Sequence, residues 1–225
     1  MFVGKPPEMT EETPADLIHA VDDAESFARM TGAGPTAMAD LERYRSYLTD
    51  WNQNMNLVGP KTLDVFWSRH AWDSAQILRF APDALTWADL GTGAGLPGIV
   101  LAILGKSRPG YHVHLVESLT KRCRFLTEVV KGLELPATVH NSRAEDLSLA
   151  VDIVTARACA PLSRLLGYSR PYFQRGATAL FLKGQDVVSD LEEASKSWDF
   201  DAEILQSLSD ERGRIVCVKR LGRGR

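Results

Sequence analysis

The chain has 225 residues, 44% of them hydrophobic and 24% charged, with a formal net charge of −3. That length accommodates one sizeable core, and no apolar run approaches the ~20 residues of a membrane-spanning helix. Cys123, Cys159 and Cys217 are scattered without metal-ligand spacing, so no cysteine-based metal site is expected, and free thiols suit a reducing cytoplasm. The acidic total does not exclude a nucleic-acid partner: residues 1–60 hold ten Asp/Glu against four Lys/Arg, whereas 61–225 hold nineteen against twenty-two.

Residues 1–11 carry two prolines and little apolar content and read as disordered, with a weak helix over 14–30. Together, residues 1–35 form an extension that is partly disordered or helical. Thr31-Gly32-Ala33-Gly34-Pro35 breaks the chain. Leu41, Tyr44, Leu48, Trp51 and Met55 then recur at helical spacing, and a further helix is expected over about 62–80, with Phe66, Trp67, His70 and Ile77 inward. From residue 85 the pattern alternates. Strands are expected at 86–90, 112–116, 137–140, 151–155, 177–183, 202–207 and 214–219, and helices at 97–105, 119–132, 160–173 and 185–197. The last two strands have no helix between them, and Asp210 to Gly213 supplies a hairpin turn. The expectation is an α/β fold with a seven-stranded, mostly parallel sheet ending in an antiparallel hairpin. Residues 36–225 form one domain, with a helical part at 36–84 and the sheet core at 85–225.

Gly91-Thr92-Gly93-Ala94-Gly95-Leu96-Pro97-Gly98 lies between the first strand and an apolar helix, the nucleotide-binding corner of a doubly wound sheet. Gly91, Gly93 and Gly95 let backbone approach a ligand closely, and Leu96 follows them. The same loop satisfies the dinucleotide pattern GxGxxG, so context must choose the ligand. Asp89 places a carboxylate beside the loop, which repels a pyrophosphate and attracts an ammonium and a sulfonium, as in S-adenosylmethionine. No second domain of dehydrogenase size is present. Glu117 ends the second strand, where a carboxylate can accept both hydroxyls of an adenosine ribose; the alternative is a helix N-terminal charge. Ala144 and Glu145 follow the third strand and can bracket an adenine edge or simply start a short helix. Arg157 follows the fourth strand and suits the methionine carboxylate, a phosphate or a surface ion pair. Lys183 ends the fifth and can face RNA phosphate or solvent. His70 is either a satisfied core histidine or a wall of the substrate pocket.

With these residues in place, the chain resembles the ribosomal RNA small subunit methyltransferase G family, also called glucose-inhibited division protein B. The resemblance is carried by Trp51-Asn52 with Asn56-Leu57, Arg69-His70 with Asp73-Ser74, and Asp89 through Gly98. It continues through Glu117-Ser118 with Lys121-Arg122, Arg143-Ala144-Glu145, Arg157-Ala158 and Leu182-Lys183-Gly184. One departure is Thr155-Ala156 before Arg157, where the family more usually has a serine. The resemblance implies a Rossmann-like methyltransferase fold that uses S-adenosylmethionine. It implies transfer to N7 of one guanosine in 16S rRNA or a small-subunit particle, in the cytoplasm. By the same resemblance Gly91, Leu96, Ala144, Glu145 and Arg157 contact the cofactor.

Guanine N7 has an in-plane lone pair and no proton, so its methylation requires alignment and no general base. No catalytic nucleophile and no metal are expected; Arg157, Lys183 and His70 are the substrate-side candidates. Candidate RNA contacts are Lys106 and Arg108, then Lys121, Arg122 and Arg124, and above all a flexible cationic tail at 220–225. A monomer without membrane association is expected. The rival readings are a small NAD-dependent oxidoreductase and a non-catalytic sensor that binds the cofactor.

Overall fold

The computed structural model describes residues 17–18 and 20–224; the segment expected to be disordered, 1–11, lies outside them. Helix α1 (Ala24–Thr31) starts at a capping box. Asp23 accepts from the Ser26 N–H at 2.8 Å and the Ser26 hydroxyl accepts from the Asp23 N–H at 3.1 Å. It ends at Gly32, whose φ of +69° is the left-handed cap that stops the helix. Helix α2 (Pro35–Asn52) has proline at its first position and buries Leu41, Tyr44 and Leu48.

The helix expected over 62–80 is not continuous. A 3-10 turn at Pro60–Thr62 is followed by a π-helix at Trp67–Trp72, an α-turn at Asp73–Ala75 and a 3-10 turn at Gln76–Phe80. Side chains compete for its backbone. The Arg69 carbonyl receives the Arg157 guanidinium at 3.1 Å, and the His70 carbonyl receives the Ser74 hydroxyl at 2.6 Å. π segments gather at functional sites.

The alternating part runs β1 (Thr86–Leu90), α3 (Gly98–Gly105), β2 (His112–Glu117), α4 (Thr120–Gly132) and β3 (Ala137–Asn141). It continues with β4 (Ile153–Arg157), α5 (Leu162–Phe173), β5 (Thr178–Lys183), α6 (Val187–Ser195), β6 (Trp198–Gln206) and β7 (Arg214–Arg223). The sheet order is β3-β2-β1-β4-β5-β7-β6, with β7 antiparallel to both neighbours. This is the expected seven-stranded sheet. The order reverses between β1 and β4, which opens a crevice at their carboxyl ends, where ligands of such sheets sit.

Three boundaries differ from expectation. β4 starts at Ile153, so Arg157 is its last residue and not the one after it. β6 starts at Trp198, because a bulge between Asp201 and Ala202 breaks the alternation that marks a strand in the sequence. The tail is not free: β7 runs to Arg223, pairs with β6 as far as Trp198, and Arg220 forks onto Asp199 at 2.8 and 2.9 Å.

Helix α3 is apolar on all sides and must be covered on all sides. The sheet covers one side, and α2 with the segment after Phe66 covers the other. Phe27, Leu41 and Trp72 thereby join Ile99, Val113 and Phe125 in one core. On the opposite face α5 and α6 close a second core around Tyr172 and Phe181.

Candidate active site

The glycine loop leaves β1 at Gly91. Gly91, Gly93 and Gly95 have φ of +64°, +57° and +91°, conformations that side chains disfavour. A Cβ on Gly91 would stand 2.3 Å from the Cys159 sulfur, so the loops after β1 and β4 meet across the crevice through backbone on one side. The loop is held from below by Asp89, which is fully buried. One carboxylate oxygen accepts from the Thr92 hydroxyl at 2.5 Å and from the Gly98 N–H at 2.8 Å. The other, Oδ1, is buried without a partner among the described residues. Burial pushes this carboxyl up to about 7, against the lowering effect of the Thr92 and Gly98 hydrogen bonds and of Arg157. Asp89 therefore lies beneath the loop and braces it, a role that its place beside the loop in the sequence did not reveal. From above, the Tyr44 hydroxyl donates to the Ala94 carbonyl at 2.7 Å, tying α2 to the loop tip.

The other residues singled out in the sequence arrive at the same sheet edge. Glu117 ends β2, almost fully buried, and accepts from the N–H of Gly93 at 3.1 Å and of Leu119 at 2.8 Å. Its carboxylate is thus oriented by the loop itself. Ala144 and Glu145 lie in a 3-10 turn after β3; the Ala144 carbonyl accepts from the Tyr172 hydroxyl at 3.2 Å, while Glu145 stays half-exposed. Leu96 is buried at the start of the turn into α3. Cys159 is exposed as a residue, yet burial of its sulfur and the carboxylates of Asp89, Glu117 and Glu145 raise its thiol, so it is held protonated.

Beside the crevice lies a cavity of about 610 Å³ at the ends of β4 and β5. It brings together Arg157, Lys183 and His70, with Thr62, Asp73 and the β6–β7 turn as further walls. Arg157 is fixed on three sides. Its Nη1 donates to Asp73 at 2.8 Å and to the Arg69 carbonyl at 3.1 Å, and its Nη2 reaches His70 Nδ1 at 3.3 Å. Arginine only donates, so Nδ1 accepts and the His70 proton sits on Nε2, which faces the Thr62 hydroxyl at 2.8 Å. Burial, then the Arg157 charge, push His70 down to about 4, which keeps the ring neutral. Lys183 is mostly buried, and its ammonium donates to the Ala160 carbonyl at 3.1 Å and to Asp190 at 2.6 Å. It anchors the loop after β4 instead of facing solvent.

Sequence reasoning missed the supports of this cavity. Asn52, the last residue of α2, accepts from the N–H of Leu57 at 2.8 Å and of Val58 at 3.1 Å, folding the turn that forms one wall. Asp73 and Gln76 pin the β6–β7 turn: Ser209 donates to Asp73 at 2.6 Å and the Leu208 N–H to Gln76 at 2.6 Å. The Asn52 turn and the Arg69-His70-Asp73 group were visible only as motifs. Their partners lie up to 136 residues away, beyond the reach of local patterning.

Most of the expected RNA contacts are engaged elsewhere. Lys106 pairs with Asp40 at 2.9 Å and caps the Leu133 carbonyl at 2.6 Å. Arg108 donates to the Pro82 carbonyl, Lys121 to the Asn54 carbonyl, and Arg122 lies 3.7 Å from Glu117. The tail, expected to be flexible, is strand as far as Arg223. Arg69, Arg212 and Arg214 line the cavity and are engaged too, Arg69 and Arg212 with Asp210 and Arg214 with the Glu211 and Gly213 carbonyls. Among the described residues no helix is long and apolar enough to cross a membrane, and no group of three His, Cys, Asp or Glu is placed to hold a metal.

Comparison with known proteins places this geometry. The chain is 59% identical over 206 residues to the ribosomal RNA small subunit methyltransferase G of Caulobacter vibrioides, covering 92% of this chain and 95% of that one. It is 46% identical over 188 residues to the protein of the same name from Methylorubrum extorquens, covering 82% and 89%. In fold it is similar to the magnesium protoporphyrin IX methyltransferase of Synechocystis solved with bound SAM. That match has a TM-score of 0.51 at 14% identity and covers 80% of this chain and 97% of that one. It is also similar to an O-methyltransferase of tomaymycin synthesis from Streptomyces achromogenes in complex with SAM, with a TM-score of 0.53 at 11% identity, covering 80% and 89%. The sequence model described as rRNA small subunit methyltransferase G matches residues 37–216, from the start of α2 into β7. A match that spans both the helical cover and the whole crevice shows the family: the chain belongs to the rRNA small subunit methyltransferase G family.

Proposed function

We propose that the chain transfers a methyl group from S-adenosylmethionine to N7 of one guanosine in the 16S rRNA of the small ribosomal subunit. Family membership supports the methyl donor and the rRNA class. The observation that carries the site is the position of Arg157, which closes β4 at the crevice and forms a wall of the cavity beside it.

The residues present fit the cofactor. The glycine backbone leaves room where a side chain would strike Cys159, and the unpartnered Asp89 oxygen lies under the same loop, suited to a nearby positive charge. In this reading Gly91, Gly93, Gly95 and Leu96 border the cofactor, Glu117 accepts its ribose hydroxyls, and Ala144 with Glu145 bracket its adenine. Three of the five Arg157 N–H groups are committed to Asp73, the Arg69 carbonyl and His70. Among the described residues the Nε–H and one Nη2–H remain without a partner, a pair that a carboxylate can take bidentately. When bound, the cofactor supplies a methyl group on a positively charged sulfur.

The chain then has to present a base and exclude alternatives. A cavity of about 610 Å³ holds a nucleoside with room for its sugar, and neutral His70 adds no charge against a base that becomes cationic. Fixing the base and the methyl group in line is worth roughly 7–11 kcal/mol in favourable cases, so no proton acceptor is assigned. A-form grooves hide N7, so the target is presented from unpaired or flipped-out RNA. Nucleoside mass spectrometry of 16S rRNA from cells with and without the gene tests the reading. One 7-methylguanosine should disappear, and an unchanged level overturns it. S-adenosylmethionine should also raise the melting temperature of the purified protein where NADH does not.

A further inference from the structure

Three carboxylates line the cavity beside the crevice: Asp73, Asp186 and Asp210. Two have work within the fold. Asp73 holds Arg157 on one oxygen and Ser209 and Gln76 on the other. Asp210 receives Arg69 at 3.2 Å and the Arg212 N–H at 2.9 Å. Asp186 differs. It is the N-cap residue of α6, its carbonyl accepting from the Asp190 N–H at 3.1 Å, but its carboxylate makes no capping hydrogen bond, is exposed and has no partner among the described residues. Its neighbour Gln185 also lines the cavity, exposed, with its amide unpartnered among the described residues.

The strip that carries them is nonetheless fixed at both ends. Leu182 and Val187 are buried, and Lys183 is tied to Ala160 and Asp190. A Cβ on Gly184 would meet nothing within 4 Å, so the space beside the strip is open. An amide donor and a carboxylate acceptor thus stand side by side at the edge of a nucleoside-sized space.

We propose that Gln185 and Asp186 read the Watson–Crick edge of the target guanine, a step that rests on the guanine-N7 reading above. With N7 turned to the crevice, the adjoining Watson–Crick edge, which begins at O6 beside N7 and continues through N1–H to the N2 amine, turns along the cavity. The Gln185 amide donates to O6. The Asp186 carboxylate accepts from N1–H and the N2 amine. Adenine presents a lone pair at N1 and no N2 amine, so it meets the acceptor-only Asp186 carboxylate with the wrong sign, whereas the Gln185 amide can turn to serve either base. A site built on hydrogen bonds rejects a base that cannot make them far better than one built on shape.

The test uses the full-length protein, labelled S-adenosylmethionine and small subunits from cells lacking the gene, with GMP and IMP as competing inhibitors. IMP lacks only the N2 amine. For the unaltered chain GMP should inhibit about tenfold better than IMP, the worth of one hydrogen bond to a charged group. In Asp186→Ala that ratio should fall towards one while the KM for S-adenosylmethionine stays unchanged, and Asp186→Glu should restore part of it. A ratio that survives in Asp186→Ala, or a KM for S-adenosylmethionine that moves with it, overturns the assignment. If the unaltered chain makes no 7-methylguanosine at all, the guanine reading falls first and this inference falls with it.

Discussion

Gly91 has no space for a methyl group and a φ that a side chain resists, so alanine there is penalised twice. The left-handed conformation costs about 1–2 kcal/mol for a residue with a Cβ, and the methyl group would also collide with the Cys159 sulfur 2.3 Å away. Gly91→Ala is expected to weaken S-adenosylmethionine binding at least about tenfold by calorimetry. Adding Cys159→Ala should recover the steric part and leave the conformational part; no recovery would place the crevice elsewhere. Asp89 makes a prediction in pH. Its folded carboxyl titrates near 7 and its unfolded one at 3.8, so between those values the folded chain holds a proton that the unfolded chain releases. Stability from this group therefore falls as pH rises across that window, at up to about 1.4 kcal/mol per pH unit. Denaturation followed from about pH 4.5 to 7.5 should show the slope, and Asp89→Asn should flatten it. A cationic ligand favours the ionised form, so affinity for S-adenosylmethionine should climb through neutral pH in the unaltered chain and not in Asp89→Asn.

At the scale of elements, the π segment is where backbone and site are joined. His70 titrates near 4 when folded and at 6.5 when not, so the neutral ring contributes stability above 6.5 that is lost as pH falls towards 4. Its protonation would set two cations, His70 and Arg157, face to face. His70→Asn keeps a carbonyl that can accept from Arg157 and has nothing to titrate. The variant should lose less stability than the unaltered chain between about pH 6.5 and 4 by urea unfolding, and an identical acid slope would detach His70 from that loss. The end of β7 makes a second prediction. Removing residues 220–225 strips Arg220, Leu221, Gly222 and Arg223 from their β6 partners. At about 1 kcal/mol per hydrogen bond the chain should melt several degrees lower, with little change in the salt dependence of RNA binding. The alternating strands and helices were legible in the sequence because apolar runs, as in β1 and α3, are set apart by glycine loops and turns, and α4 carries an apolar stripe beside an exposed face. The tail was misread because Arg220-Leu221-Gly222-Arg223-Gly224-Arg225 has the composition of a free basic arm, and only Asp199 on the neighbouring strand shows otherwise. The glycine loop, Glu117 and Arg157 were legible by position. The supports of Arg157 were not, because Asp73, His70 and the Arg69 carbonyl meet it across 84 to 88 residues of chain.

Across the whole molecule, the helical N-terminal layer packs over α3 and reaches the crevice. Tyr44 reaches the glycine loop, Trp72 donates its indole N–H to the Leu208 carbonyl at 2.8 Å, and Asp73 holds both Arg157 and the β6–β7 turn. Exposing the apolar back of α3 would strand a helix whose residues are almost all buried, so α2 cannot leave while the sheet persists. We therefore expect one cooperative transition for residues 36–224. The tryptophans make this measurable: Trp51, Trp67 and Trp72 lie in the helical layer, and Trp87 and Trp198 in the sheet. Variants that keep tryptophan in only one of the two groups should give thermal midpoints that coincide with each other and with far-UV circular dichroism, and S-adenosylmethionine should shift all three together. Two separated midpoints would make the helical layer an independent body. Arg157 would then take its geometry from a neighbour free to move away, and the joint control of crevice and cavity by one arginine would fail with it.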